Sequence, residues 1–345
     1  MSTASGERRF DIAVVGVTGI IGEHLLDLLK DREFPVGKVH ALDVEAVAGG
    51  TVKFGNRDLP VDDLGTFDFS RVQLALFAAG SAVSAAFVAK ATAAGCLVVD
   101  SSPQFRLEAD VPLVIPEVNP EALAGVRARR IVASPNCSTT LMLMALKPIH
   151  DAVGIARINV CTYQSVSGSG RDAIEELGRQ TAALLNFKDV EVKVYPKQIA
   201  FNVLPQVDVI DDSGCTREEL AMLRETRKIL GDASIGVNVT AVRVPVFYGH
   251  SAALHIETRK KIGADEAREL LENTAGIVVI DRHEDGGYPT AVSDASGEDA
   301  VFVGRIRDDM SHPCGLNLWV VGDNIRKGMA LNAVQIAEQL IRSYL

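Results

Sequence analysis

The stretch Phe10-Asp11-Ile12-Ala13-Val14-Val15-Gly16-Val17-Thr18-Gly19-Ile20-Ile21-Gly22 decides the fold. Its first six residues form a short apolar run, suited to a strand buried on both faces of a parallel sheet. The three glycines that follow are spaced GxxGxxG, and an amphipathic segment from Glu23 to Asp31 comes next. Glycines at a strand-to-helix turn permit a tight bend and let backbone N–H groups approach a pyrophosphate at the helix start. The spacing alone is weak, but between a strand and a helix it reads as a dinucleotide fingerprint. The expected cofactor contacts are Gly16, Thr18, Gly19, Ile20, Ile21 and Gly22.

Working outward, Lys38-Val39-His40-Ala41-Leu42 reads as a second strand ending in Asp43. An acid about twenty residues past the last glycine is placed to hold a ribose 2′-hydroxyl and to repel a 2′-phosphate; a solvated loop aspartate is the plainer alternative. Strands at 72–77 and 97–100 flank an Ala-rich helix at 82–94. This alternation predicts a Rossmann-like, doubly wound parallel sheet. The loops after its strands, including Ala78-Ala79-Gly80 and Ser101-Ser102-Pro103, should face the cofactor.

Cys137 lies between the apolar Ile131-Val132-Ala133 and a run of strong helix formers, Leu141 to Leu146. A thiol in the first turn of a helix meets unpaired N–H groups and a partial positive charge, which favour the thiolate. The plain reading is a small buried residue, but polar Asn136, Ser138 and Thr139 around it favour a nucleophile. Beyond it the texture turns strand-rich. Strands are expected near 155–163, 238–246, 251–259, 277–281, 300–306 and 316–322, with helices near 172–185, from Thr216, and at 325–343. Thr216 and Glu219 fit a capping box. The expectation is an α+β domain with a large mixed sheet.

The chain has 345 residues, 47% of them hydrophobic, and a formal net charge of −10. That length calls for two domains, and the acidic balance argues against nucleic acid as a partner. Five cysteines without metal-type spacing suggest no metal site and a reducing cytoplasm. The polar start, Met1 to Arg9, has no apolar core and reads as a loose tail. No run is long and apolar enough for a membrane span.

Eight blocks, in order, resemble the aspartate-β-semialdehyde dehydrogenase family: GVTGIIG (16–22), FPVGKV (34–39), VPLVIPEVNPEAL (111–123), SPNCSTT (134–140), TYQSVSGSGRDAIEEL (162–177), AFNVLPQVD (200–208), RVPVFYGHS (243–251) and DNIRKGMALNAVQIAE (323–338). The resemblance implies a dinucleotide-binding domain over 1–136 and 323–345, and a substrate and dimerisation domain over 137–322. It implies reduction of L-aspartyl-4-phosphate to aspartate semialdehyde, on the route to lysine, threonine, methionine and diaminopimelate. Cys137 matches the nucleophile, His250 the acid/base group, for which a pKa near neutrality would suit, and Gln164 the residue that orients substrate. Arg243 matches the α-carboxylate clamp, Glu218 the ammonium site, Arg106 a phosphate-binding arginine, and Asn136 the PNC asparagine. Ser167, Gly168, Gly80 and Asn324 fall at cofactor positions, and a homodimer or homotetramer is implied.

Departures stand beside the matches. Ala221 occupies the place of a lysine that usually helps bind phosphate. Ser101 replaces a usual asparagine, and Ala252 a usual acid. The loop Asp43-Val44-Glu45-Ala46-Val47 lacks the serine and arginine that grip an NADP 2′-phosphate. Family habit thus points to NADP and Asp43 to NAD. A paralogue with the same Cys–His chemistry on another acyl phosphate or aldehyde, or a non-catalytic relative, is the alternative.

Overall fold

The structure is a computed structural model that describes residues 8–345. Of the tail expected over Met1 to Arg9, residues 1–7 lie outside the described residues. The chain divides into two compact units. Among the described residues the first comprises 8–116, Pro120–Pro135 and Met329–Leu345; the second comprises Glu117–Asn119 and Asn136–Gly328.

In the first unit, β1 (Phe10–Val15) feeds the glycine turn and α1 (Ile20–Asp31), followed by β2 (Val36–Asp43). A hairpin of β3 (Thr51–Phe54) and β4 (Arg57–Asp63) comes next, then β5 (Leu74–Phe77), α2 (Ser81–Ala93), β6 (Leu97–Asp100), α3 (Val126–Arg129) and β7 (Ile131–Ala133). The sheet order is β3-β4-β2-β1-β5-β6-β7. Every pairing is parallel except the β3–β4 hairpin. Val14 pairs with Ala41 on one side and Leu76 on the other, so the order reverses at β1. Ligands bind at such a switch point, beyond the carboxyl ends of the strands. Leu74 to Phe77 are fully buried, as continuous apolar strands covered on both faces must be. Leu25, Leu26, Leu28 and Leu29 of α1 close one face, each contributing about 1.5–3 kcal/mol. The C-terminal helix, Leu331–Ser343, packs on α1, and Arg32 pairs with its Glu338.

The second unit opens with α4 (Cys137–Val153), β8 (Ile155–Gln164) and α5 (Arg171–Leu185). Then come α6 (Arg217–Leu230), β9 (Gly236–Arg243), β10 (His250–Thr258), α7 (Ala264–Glu272), β11 (Ile277–Val279), β12 (Val301–Asp308) and β13 (Gly315–Gly322). The six strands form one mixed sheet, β11-β12-β13-β10-β8-β9. Along β8, Ile158, Val160, Thr162 and Gln164 are buried while Asn159, Cys161 and Tyr163 are only half-buried. That period of two marks one face packed against helix and one face open. On the open side lies an apolar groove of about 590 Å³, lined by Tyr163, Tyr288, Pro289, Val292 and Trp319. The capping box at the start of α6 is formed: Thr216 Oγ1 accepts from Glu219 N–H, and Glu219 accepts from Thr216 N–H.

Several boundaries differ from expectation: Glu117–Asn119 and Asn136 fall in the second unit, although 1–136 was expected with the first. The last helix begins at Leu331 rather than near 325, because Arg326–Ala330 winds as a π turn. Asp323 Oδ1 accepts from the N–H groups of Ile325 and Arg326, and its Oδ2 from Gly297 N–H. Those bonds keep 323–328 with the second unit, whereas the sequence placed the segment with the first.

Candidate active site

Cys137 heads α4 and is partly exposed. Asn136 is its N-cap: Oδ1 accepts from Ser138 N–H at 2.8 Å and Thr139 N–H at 3.2 Å. Two carboxylates of α6 hold that asparagine in turn. Glu225 accepts its backbone N–H at 2.7 Å, and Glu218 accepts its side-chain amide at 2.8 Å. The other Glu218 oxygen accepts from Gln164 Nε2 at 2.9 Å. Residues seven apart share a helix face, so α6 supports the nucleophile's turn twice. Ala221, one turn after Glu218, belongs to the same helix. A Cβ on Gly328 would lie 2.8 Å from Cys137 Cβ, so only glycine fits against the thiol's back. Cys96 shows the contrast: it is fully buried, and burial pushes its thiol up to about 12.

Parallel pairing of β8 with β9 sets Gln164 beside Arg243. Arg243 is buried, and its Nη1 donates to Ser165 O at 2.6 Å. Its Nε has no partner among the described residues. A buried guanidinium with unspent donors is a socket for an anion. His250, at the start of β10, is buried too. Ser165 N–H donates to its Nδ1 at 3.2 Å, and Ser165 Oγ lies 3.1 Å from the same atom. Nδ1 as acceptor leaves the proton of the neutral ring on Nε2, which has no partner among the described residues. Burial first, and then Arg243, push this imidazole down to about 3. The expectation of a near-neutral pKa is therefore corrected: without a bound anion the ring is uncharged across physiological pH. Gly168 stands where these groups converge, since a Cβ there would come 2.9 Å from Arg243 Nη1 and 3.3 Å from His250 Nε2.

Asn324 ties this wall together. Its Oδ1 accepts from Gly249 N–H, Ser165 Oγ and Ser167 Oγ, and its Nδ2 donates to Ser167 Oγ. Of the residues expected at the cofactor, Ser167, Gly168 and Asn324 thus belong to the second unit.

The others lie in the first unit. Gly16 has φ +80, and a Cβ there would sit 2.7 Å from Ala79; a Cβ on Gly22 would meet Gly16 O at 2.3 Å. Gly19 caps α1 with no side-chain bond, and Gly80 caps α2 likewise. Such a bare turn at a helix start leaves backbone donors for a pyrophosphate, so the residues fit a dinucleotide. Asp43 is buried. It accepts from Thr18 N–H at 3.0 Å and Thr18 Oγ1 at 2.7 Å through one oxygen, and from Val44 N–H through the other. It braces the glycine turn as well as facing its end. Arg106 is buried and donates to Ser134 O at 2.9 Å and Ser101 O at 2.8 Å. No group of three or more metal-ligating side chains occurs among the described residues, and none of their helices is long and apolar enough to cross a membrane.

Sequence reasoning passed over three residues here: Glu225, Ser165 and Lys327. Glu225 could have been found as the acid seven residues after Glu218. Ser165 acts largely through its backbone, which carries no signal in side-chain identity. Lys327 is 1% exposed and bonds Glu117 at 2.7 Å, burial that a lysine in a polar motif does not announce.

Residues 11–126 match the family described as semialdehyde dehydrogenase, NAD binding domain, and residues 146–327 the semialdehyde dehydrogenase dimerisation domain. Aspartate-semialdehyde dehydrogenase from Legionella pneumophila is 55% identical over 98% of this chain and 97% of its own length. A crystal structure of aspartate semialdehyde dehydrogenase II from Vibrio cholerae, described as complexed with ASA, superimposes with a TM-score of 0.96. It is 51% identical, covering 98% of this chain and 100% of that one. A probable aspartate-semialdehyde dehydrogenase from Pseudomonas aeruginosa gives a TM-score of 0.93 at 39% identity, over 98% and 100% of the two chains. With a glycine turn fit for a dinucleotide, a capped cysteine and a buried arginine–histidine pair carried on these two matched halves, the chain belongs to the aspartate-semialdehyde dehydrogenase family.

Proposed function

We propose that this chain is an NAD(P)-dependent oxidoreductase that converts L-aspartyl-4-phosphate, a reduced nicotinamide and a proton to L-aspartate 4-semialdehyde, the oxidised nicotinamide and phosphate. The observation that carries the reading is the second unit's hydrogen-bonded set. Asn136, next to Cys137, is joined through Glu218 to Gln164, beside a buried Arg243 and His250. The Cys137 thiolate attacks the acyl carbon, and phosphate leaves with the electrons of the broken C–O bond. The bound cofactor supplies the hydride that reduces the resulting thioester. The thiohemiacetal then collapses to aldehyde and free thiolate. His250 Nε2 holds the proton at the substrate oxygen, where charge gathers in both addition steps.

Arg243 forks the α-carboxylate. Glu218 keeps acceptor capacity beyond its two bonds and takes the α-ammonium. Arg106 serves the phosphate. With Ala221 in place of the usual lysine, phosphate binding relies more heavily on that arginine. The first unit acts as the dinucleotide-binding domain, and the second as the substrate domain. The open sheet face of the second unit is the surface through which two copies pair, and a reducing cytoplasm suits a thiolate enzyme. Asp43 and the absence of any cation in 43–47 favour NAD at least as well as NADP.

The test is the reverse reaction. Aspartate semialdehyde and phosphate are offered with NAD or NADP, and reduced nicotinamide is followed by absorbance. Turnover with semialdehyde supports the reading. Folded protein inert with both cofactors refutes it and turns attention to a different substrate at Ala221.

A further inference from the structure

We propose that Lys327 is a positioning residue: its ion pair with Glu117 pins the Asp323–Gly328 turn, and that turn sets Cys137 and His250 in register. The inference rests on the assignment of those two side chains as nucleophile and acid/base group.

The turn touches both. At its start, Asn324 Oδ1 accepts from Gly249 N–H at 3.0 Å, one residue before His250. The same oxygen accepts at 3.2 Å from Ser165 Oγ, and Ser165 lies against His250 Nδ1. At its end, Gly328 abuts Cys137 so closely that a Cβ would come within 2.8 Å of the cysteine's own. Asp323 closes the loop internally, accepting Gly328 N–H on its carbonyl and two further turn N–H groups on its carboxylate. A displacement of either end therefore moves one catalytic side chain relative to the other.

Lys327 sits between these ends with 1% of its surface exposed, its Nζ 2.7 Å from Glu117 Oε2. Packing alone does not call for a lysine, since methionine or leucine would fill the volume without the cost of desolvating a charge. A buried ammonium is directional in a way that an apolar side chain is not. It fixes the turn to the Glu117–Asn119 segment, which belongs to the same unit.

Three variants test this: Lys327→Met, Glu117→Gln and the double variant. Each is assayed for reverse turnover, for melting temperature, and for the rate at which iodoacetamide alkylates Cys137 across pH, which needs neither substrate nor cofactor. Lys327→Met should lower kcat by about tenfold to a hundredfold, the scale of a misplacement of up to an ångström. The KM for semialdehyde should stay within about threefold. Alkylation should slow, with its midpoint moved to higher pH because a positive charge next to Gly328, which abuts Cys137, is removed. In the double variant the midpoint should return while kcat stays low, since the local charge is balanced and the pin is absent. If Lys327→Met does not fold, Glu117→Gln supplies the same readouts and should show a smaller fall in kcat. Wild-type kcat and alkylation in a folded single variant would overturn the proposal, as would recovery of kcat in the double variant. Cys137→Ala run alongside separates the two claims: if it retains turnover, the assignment of the nucleophile has failed; if it is inactive while Lys327→Met is normal, only the positioning role has failed.

Discussion

Substituting Gly168 by alanine replaces a hydrogen with a methyl group at the most crowded point of the candidate site. The new Cβ would stand 2.9 Å from Arg243 Nη1 and 3.3 Å from both His250 Cε1 and Nε2. Ordinary carbon–nitrogen contact begins about half an ångström beyond the first of these distances, so the guanidinium must yield by roughly that amount. It has little freedom to do so, because Nη1 is held at 2.6 Å by Ser165 O. The carboxylate fork proposed for Arg243 therefore shifts or tilts, and a bidentate contact is sensitive to both. A loss of about tenfold to a hundredfold in kcat/KM follows, or ~1.4–2.7 kcal/mol of transition-state stabilisation. The backbone itself tolerates alanine, since Gly168 is not among the positive-φ glycines, and stability should change by less than about 1 kcal/mol. The assay is the reverse reaction with semialdehyde varied, beside a melting curve. The KM for semialdehyde should rise more than kcat falls if Gly168 guards the carboxylate clamp. That role is refuted by unchanged kcat/KM, or by a loss confined to the cofactor's KM, which would place Gly168 at the nicotinamide and not at the carboxylate clamp.

Other consequences follow from single groups. His250 has a folded pKa of about 3 against 6.5 unfolded, so the unfolded state binds more protons between those values. Stability should fall as pH drops through that window, by roughly 1 kcal/mol per unit from this group. Denaturant titrations of His250→Gln against the parent should show a shallower acid slope; identical slopes would contradict the burial argument. Asp43→Ser keeps an acceptor oxygen for Thr18 but removes the charge, and should raise the NADP/NAD ratio of kcat/KM by about tenfold; initial rates with each cofactor decide it. Gly178 lies inside α5 with nothing within 4 Å of a built Cβ. Gly178→Ala should stabilise by about 1 kcal/mol, read as a rise of a degree or two in melting temperature, with kcat unchanged.

Much of the scaffold was legible because it rests on local patterns. Apolar runs of strand length at 10–15, 74–77 and 97–100, interleaved with helical segments, can hardly form anything but a parallel sheet. The capping box at Thr216 and the cysteine at a helix start are likewise written in adjacent residues. What escaped depends on distant partners. The β3–β4 hairpin at 51–63 is mostly exposed, and its alternation is too weak to read. The π turn at 326–330 exists because Asp323 gathers N–H groups from 297, 325 and 326. His250 looked like a near-neutral acid/base group from its type, and only its complete burial beside Arg243 shows otherwise. Glu225 and Lys327 matter through contacts some ninety and two hundred residues away in sequence, a range over which no local pattern speaks.

That Cys137 carries the acyl group, as proposed, can be tested in one turnover. Enzyme in known amount is mixed with semialdehyde and oxidised nicotinamide, with phosphate left out, and the protein is then digested and analysed by mass spectrometry. Hydride can leave the thiohemiacetal, but no phosphate is present to release the thioester. A burst of reduced nicotinamide approaching one per subunit is expected, with the aspartyl adduct on the peptide containing Cys137. No burst from folded enzyme competent with phosphate, or an adduct on any other residue, would contradict the proposal.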